Sequence, residues 1–180
     1  MLDYYVSDKV PVVVSDHAQG GLLAAQEFIK SGCKYVLHIG SEAETERVLS
    51  YESHRVLQKT LEENGIRARE LDIKWNTFDY DGYLELSKLI LEKYPEIDGI
   101  MAADMPASAF LKAAVQIGKK IPEDICVVSY DGTFVSNTNI LEVTTIHQPM
   151  EQIGQTSVEV LLKLLKGEKL EKPYIKFPVQ

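Results

Sequence analysis

Only two cysteines occur in the chain, Cys33 and Cys126, too few for a disulfide framework or a four-thiolate zinc site. Cys126 lies in the apolar run ICVVSY, where a buried thiol fits, and both are read as structural, unpaired thiols. Basic residues are also in short supply: 19 Lys and Arg stand against 27 Asp and Glu, a net charge of −8. Binding to a phosphate backbone or an anionic membrane needs the opposite balance, so DNA contact by charge is excluded for the chain as it stands. No apolar stretch approaches the roughly 20 residues of a membrane span. The opening MLDYYVSDKV lacks the basic and apolar regions of a secretory signal, and it reads as cytoplasmic.

Catalytic signatures are missing too. There is no G-x-G-x-x-G, no P-loop, no G-x-S-x-G elbow and no H-E-x-x-H. The four histidines, His17, His38, His54 and His147, are scattered without metal-ligand spacing, so neither a metal nor a cofactor is expected. His38 sits inside an apolar run and reads as a packed histidine.

What is present is an ordinary globular composition, 45% hydrophobic and 26% charged over 180 residues, enough to bury one or two small cores. PVVV at 11–14, YVLHIG at 35–40, DGIMAAD at 98–104 and ICVVSYD at 125–131 read as buried strands. Leu71, Ile73 and Trp75 alternate with polar residues as in a strand with one wetter face, VTTI at 143–146 is a shorter strand, and PYIKFPV reads as an edge strand. Helices fall between them. Their inward residues are expected to be Leu22, Ala25 and Ile29; Leu49, Val56, Leu57 and Leu61; Leu86, Leu89 and Ile90; Phe110, Leu111, Ala114 and Ile117; and Ile153, Val160, Leu161 and Leu164. Regular alternation of strand and helix argues for an α/β fold with parallel sheets covered on both faces.

Ligands of open parallel sheets sit beyond the C-terminal ends of the strands. Polar groups recur at those ends: Asp16 after PVVVS, Ser41 and Glu42 after VLHIG, Asp104 after GIMAA and Asp131 after CVVSY. A carboxylate there can accept paired hydrogen bonds from vicinal hydroxyls, while Trp75, Phe78 or Tyr130 could cover the apolar face of a sugar. Asp16 and Asp104 can equally be caps of the helices that follow them.

Two segments carry a family resemblance. PVVVSDHAQGGLLAAQEFIKSGCKYVLHIG, and more specifically IPEDICVVSYDGT followed by VTTIHQPMEQIGQTSVEVLLKLLKG, resemble stretches of the lac-repressor (LacI/GalR) family. The resemblance implies a periplasmic-binding-protein-like effector domain: two Rossmann-like parallel-sheet lobes joined by three crossing segments, with a small molecule, often a carbohydrate, between them. It implies that residues 1–40 are what remains of an incomplete N-terminal lobe, that 41–145 form the C-terminal lobe and that 146–180 return to the first, with one crossing near Gly40 to Glu46. PVVVS, VLHIG and the final strand would then share the N-terminal lobe. Carried over by position, Asp131 matches the acid that holds ligand hydroxyls, and Gln148 matches a cleft-facing glutamine. Phe78, or Trp75 with a different loop length, matches an aromatic that covers the ligand.

Three positions depart from the family pattern. Ser50 stands where an effector-gripping Arg is usual, Ser53 replaces the Gly of the same motif, and Ala103 replaces a frequent polar cleft residue. Ser50 offers no fixed cation or forked donor, which implies a smaller or neutral ligand, or weaker binding. The family's helix-turn-helix DNA reader is not in the chain, so by resemblance this is an N-terminally truncated sensor that meets DNA only through a domain it lacks. By resemblance it also forms a homodimer, with Phe110, Leu111, Val115 and Phe134 at the two-fold contact. A solute-binding protein of a sugar transporter shares this fold and stands as the alternative. An α/β enzyme using Asp104 or Asp131 as a base is the weakest reading.

Overall fold

The computed structural model describes residues 10–41, 48–73, 79–138, 141–170 and 172–180. Strands β1 (Val12–Ser15), β2 (Tyr35–Ser41), β3 (Arg67–Ile73), β4 (Gly99–Ala103), β5 (Cys126–Asp131), β6 (Thr144–His147) and β7 (Tyr174–Phe177) alternate with helices α1 (His17–Lys30), α2 (Tyr51–Glu63), α3 (Tyr80–Lys93), α4 (Asp104–Gln116) and α5 (Met150–Leu165). Both sheets are parallel: five strands in the order β3-β2-β4-β5-β6, and the separate pair β1-β7.

Alternation along the central strands sorts side chains to two faces, as a pleated strand requires. Leu37, Ile39, Ile100, Ala102 and Val127 join Leu84, Ile90, Phe110 and Leu111 of α3 and α4 in one core. Val36, Met101, Val128 and Tyr130 join Ala24, Phe28, Leu57 and Leu61 of α1 and α2 in the other. A third, small cluster places Val13 of β1 against Ile153 and Val160 of α5.

The sheets divide the chain differently from the expected lobe boundaries. β2, which contains VLHIG, pairs with β3 and β4 rather than β1, and α1 packs in the α2 core. Among the described residues β1, α5 and β7 make up the small unit, so the first crossing lies at Ser15 to His17, ahead of the one expected near Gly40 to Glu46. The second runs from His147 to Met150. The third follows Phe177, where Val179 re-enters the α1/α2 core and Gln180 exchanges backbone hydrogen bonds with His147, at 2.6 and 3.1 Å.

Several expected inward residues face outward. Leu22, Leu89 and Ile117 are exposed because the buried stripes run through Gly20, Gly21, Ala24 and Phe28 in α1 and through Tyr83, Leu84, Ser87 and Ile90 in α3, while Ile117 lies past the last turn of α4. Leu161 and Leu164 are exposed on α5, which packs against the two-stranded sheet. Small residues, not large ones, decide the α1 contact. A Cβ at Gly21 would lie 2.2 Å from the backbone oxygen of Ser53, and one at Gly20 would lie 2.3 Å from the Tyr130 hydroxyl. Gly21→Ala is therefore expected to push α1 off α2 and to cost about 1–3 kcal/mol by overpacking, read as a lower urea midpoint with an unchanged slope.

Candidate functional site

The C-terminal ends of β2, β4 and β5 open onto a cavity of about 320 Å³, lined among others by Gly40, Ser50, His54, Tyr83, Ala103, Asp104, Tyr130, Asp131, Thr133 and Gln148. Five of the expected ligand residues, Ser50, Ala103, Asp104, Asp131 and Gln148, thus line the same cavity. Trp75 and Phe78 lie outside the described residues. Asp16 does not line the cavity. Its carboxylate caps α1 by accepting from the Gln19 backbone N–H at 3.1 Å, and it pairs with Lys176 at 3.1 Å.

Asp131 has φ 117°, a region that residues with a Cβ rarely enter. Gln148 holds it there from two sides: the Gln148 backbone N–H donates to the Asp131 carbonyl at 3.1 Å, and Gln148 Nε2 donates to Asp131 Oδ1 at 2.7 Å. Gln148 Oε1 in turn accepts from Ser15 Oγ at 2.7 Å. One amide therefore links the first crossing, the second crossing and the acid at the cavity. Next to it, Asp16 N–H donates to Phe177 O at 2.6 Å, which joins the third crossing to the first.

Asp104 is nearly fully buried, yet it is not the cap of α4, whose first turn has no side-chain cap. Its carboxylate accepts from Ser129 Oγ, from Thr133 N–H at 2.5 Å and Oγ1 at 2.6 Å, and from Gly132 N–H at 3.4 Å. These bonds fasten the turn after β5, and with it Asp131, to the end of β4. A base engaged this way has little lone-pair capacity left for a reaction. Ser50 and Ser53 occupy the start of α2, with Ser53 Oγ donating to the Ser50 carbonyl at 2.7 Å.

His54, Tyr83 and Thr133 were not singled out by sequence as cavity residues, since each lies on a helix face or in a loop whose approach depends on tertiary packing. The histidines are less scattered than their spacing suggests. His38 of β2 and His54 of α2 meet Nδ1 to Nδ1 at 3.0 Å. Burial holds His38 down at about 3, with His54 adding to the effect, and burial holds His54 down at about 4, with His17 contributing. Both imidazoles are accordingly neutral at pH 7. Burial raises Glu70 above the usual carboxylate range, opposed by its hydrogen bond from Tyr51 and reinforced by Asp72. Cys33 and Cys126 are buried free thiols.

Two expected interface residues are corrected. Phe110 and Leu111 lie inside the α3/α4 core, with Phe110 0% exposed, so they cannot reach a second molecule. Val115 and Phe134 are exposed, at 48% and 78%.

This arrangement of two parallel sheets, three crossings and a cleft acid can be set beside known proteins. The family described as periplasmic binding protein-like domain matches residues 25–179. The chain belongs to that family. Curated relatives of this periplasmic binding protein-like domain include the ribose operon repressor of Halalkalibacterium halodurans, 31% identical over 172 residues that cover 94% of this chain and 50% of that protein. The regulator CelR of Thermobifida fusca is 27% identical, covering 91% of this chain and 48% of its own length. Among solved structures, the lactose repressor bound to the anti-inducer ONPF matches with TM-score 0.82 and 26% identity, over 99% of this chain and 65% of that one. A complex of CelR with cellobiose has TM-score 0.81 at 24% identity, over 97% and 53%, a likeness of fold. The chain spans about half the length of the curated relatives it matches. These relatives are transcription regulators of the lac-repressor type, and no described helix is long and apolar enough to cross a membrane.

Proposed function

We propose that the chain is the effector-sensing part of a bacterial transcription regulator, which takes a small neutral sugar or related polyhydroxyl compound into the cleft beside Asp131. The observation that carries this is Asp131 itself, held at φ 117° at the cavity wall by Gln148, the residue that also touches the crossings. Strain kept at a cavity by two hydrogen bonds marks a position whose geometry matters more than its stability. A cavity of about 320 Å³ is at the small end of ligand pockets, and Ser50 contributes a hydroxyl where a cation would favour an anionic or larger effector. The names of the relatives, repressors of ribose use among them, favour a regulator over a transport protein.

In this reading the ligand stabilises one arrangement of the small unit against the five-stranded unit, and the shift is passed to a DNA-binding domain outside this chain, in the cytoplasm. Of the four residues expected at a two-fold contact, Val115 and Phe134 are exposed and keep that role in this reading.

A thermal-shift panel of pentoses, hexoses, disaccharides and nucleobases tests the site. One sugar class is expected to raise the melting temperature of the wild type by several degrees, a response lost in Asp131→Ala. Identical responses of both proteins to every stabilising compound would remove Asp131 from the site.

A further inference from the structure

We propose that His38, His54 and Glu70 form a binding site for a divalent transition-metal ion of the zinc class. The three residues come from three elements that the fold brings together. His38 and Glu70 are register partners on the adjacent parallel strands β2 and β3, so both side chains leave the same face of the sheet. His54 reaches that face from the first turn of α2. Each residue offers one donor atom, and these atoms all lie within 4.8 Å of one another.

The donor set has the chemistry of zinc: imidazole nitrogens with one carboxylate, which suits zinc, cobalt, nickel or copper, whereas magnesium and calcium prefer all-oxygen shells. The distances are close to what an ion needs. Tetrahedral ligands at about 2.0–2.2 Å from zinc stand roughly 3.4 Å apart. The His38–His54 nitrogen pair at 3.0 Å is slightly tight, and the widest separation of 4.8 Å closes with small side-chain rotations.

One feature in particular points to a ligand there: Glu70 Oε1 is buried without a hydrogen-bond partner, beside the fully buried His38. Buried polar atoms are rarely left so, because each costs on the order of 1–3 kcal/mol. Glu70 Oε2, by contrast, accepts from Tyr51 Oη at 3.0 Å, an outer bond of the kind that orients a metal-binding carboxylate. The fold also makes room for this carboxylate: a Cβ at Gly40 would lie 2.2 Å from Glu70 Oε1. His54 lines the cleft cavity, which gives an ion its way in. Bound, the ion would brace β2, β3 and α2 at the rim of the cleft.

The test is Zn²⁺ titration of the metal-free protein, followed by competition with a chromogenic indicator, melting temperature and the imidazole ¹⁵N resonances. Wild type is expected to take up one Zn²⁺ per chain with a saturable rise in melting temperature, while Mg²⁺ and Ca²⁺ have no effect. The His38 and His54 resonances should move, and that of His147 should not. His54→Ala and Glu70→Gln, checked for folding by circular dichroism, should each weaken Zn²⁺ binding at least tenfold. The NMR arm needs no variant, so a variant that fails to fold leaves the test intact. Unmoved His38 and His54 resonances at saturating Zn²⁺, or unchanged affinity in both folded variants, would overturn the site.

Discussion

Replacing Phe110 by alanine is expected to lower stability by about 3–5 kcal/mol, the cost of emptying a fully buried aromatic site. The ring is 0% exposed and belongs to the core that joins α3 and α4 to β2, β4 and β5. Because domains of this size are stable by only about 5–15 kcal/mol, the variant should sit near the edge of folding at 37 °C. Urea denaturation measures the loss. Sedimentation of the folded variant at low temperature separates two roles: a core residue leaves the association constant unchanged, whereas an interface residue would leave stability nearly unchanged. Val115→Ala is the control, with an expected stability change within about 0.5 kcal/mol for a surface position.

Asp104→Ala should rank next, with a loss of about 3 kcal/mol or more, since hydrogen bonds to a charged group are each worth about 1.5–3 kcal/mol. Removing the carboxylate leaves the Ser129 and Thr133 hydroxyls and the Gly132 and Thr133 backbone N–H groups facing a void. The damage should not stop at stability. The freed turn carries Asp131, so the thermal response to a bound sugar is expected to fall along with the urea midpoint. Asp104→Asn keeps one carbonyl acceptor but aims an NH₂ group at donors, and it should recover only part of both. A variant within about 1 kcal/mol of wild type would show that water can replace the carboxylate.

These two residues also show how far sequence alone reaches. The α/β class was legible because β4 and β5 are short apolar runs and the helices between them are periodic. That Asp131 and Gln148 line one cavity was legible because both sit in a long stretch of family-like sequence. Asp104 stands at the strand end that the sequence indicates, but it is not the helix cap it could have been, and nothing local says that its partners are Ser129 and Thr133, some 25 to 29 residues away. Periodicity puts Phe110 on the inward face of its helix, as found, and its place at a two-fold contact came from the family resemblance alone. The sheet to which VLHIG belongs was misplaced, since pairing of β2 with β3 and β4 depends on crossovers that periodicity does not encode. His38 and His54 looked unrelated at a separation of 16 residues, and only the packing of α2 on β2 makes them neighbours.

Behind the pair β1-β7, Val13, Ile153 and Val160 form a small buried cluster, with Leu170, Ile175 and Phe177 partly buried against it. A two-stranded ribbon is marginal on its own, so native opening should come in grades, with this ribbon peeling at low free energy while the five-stranded unit stays closed. Peeling takes Ser15 off Gln148 and Lys176 off Asp16. Through Gln148 this ribbon is joined to Asp131, so fraying there and occupancy of the cleft draw on the same few hydrogen bonds.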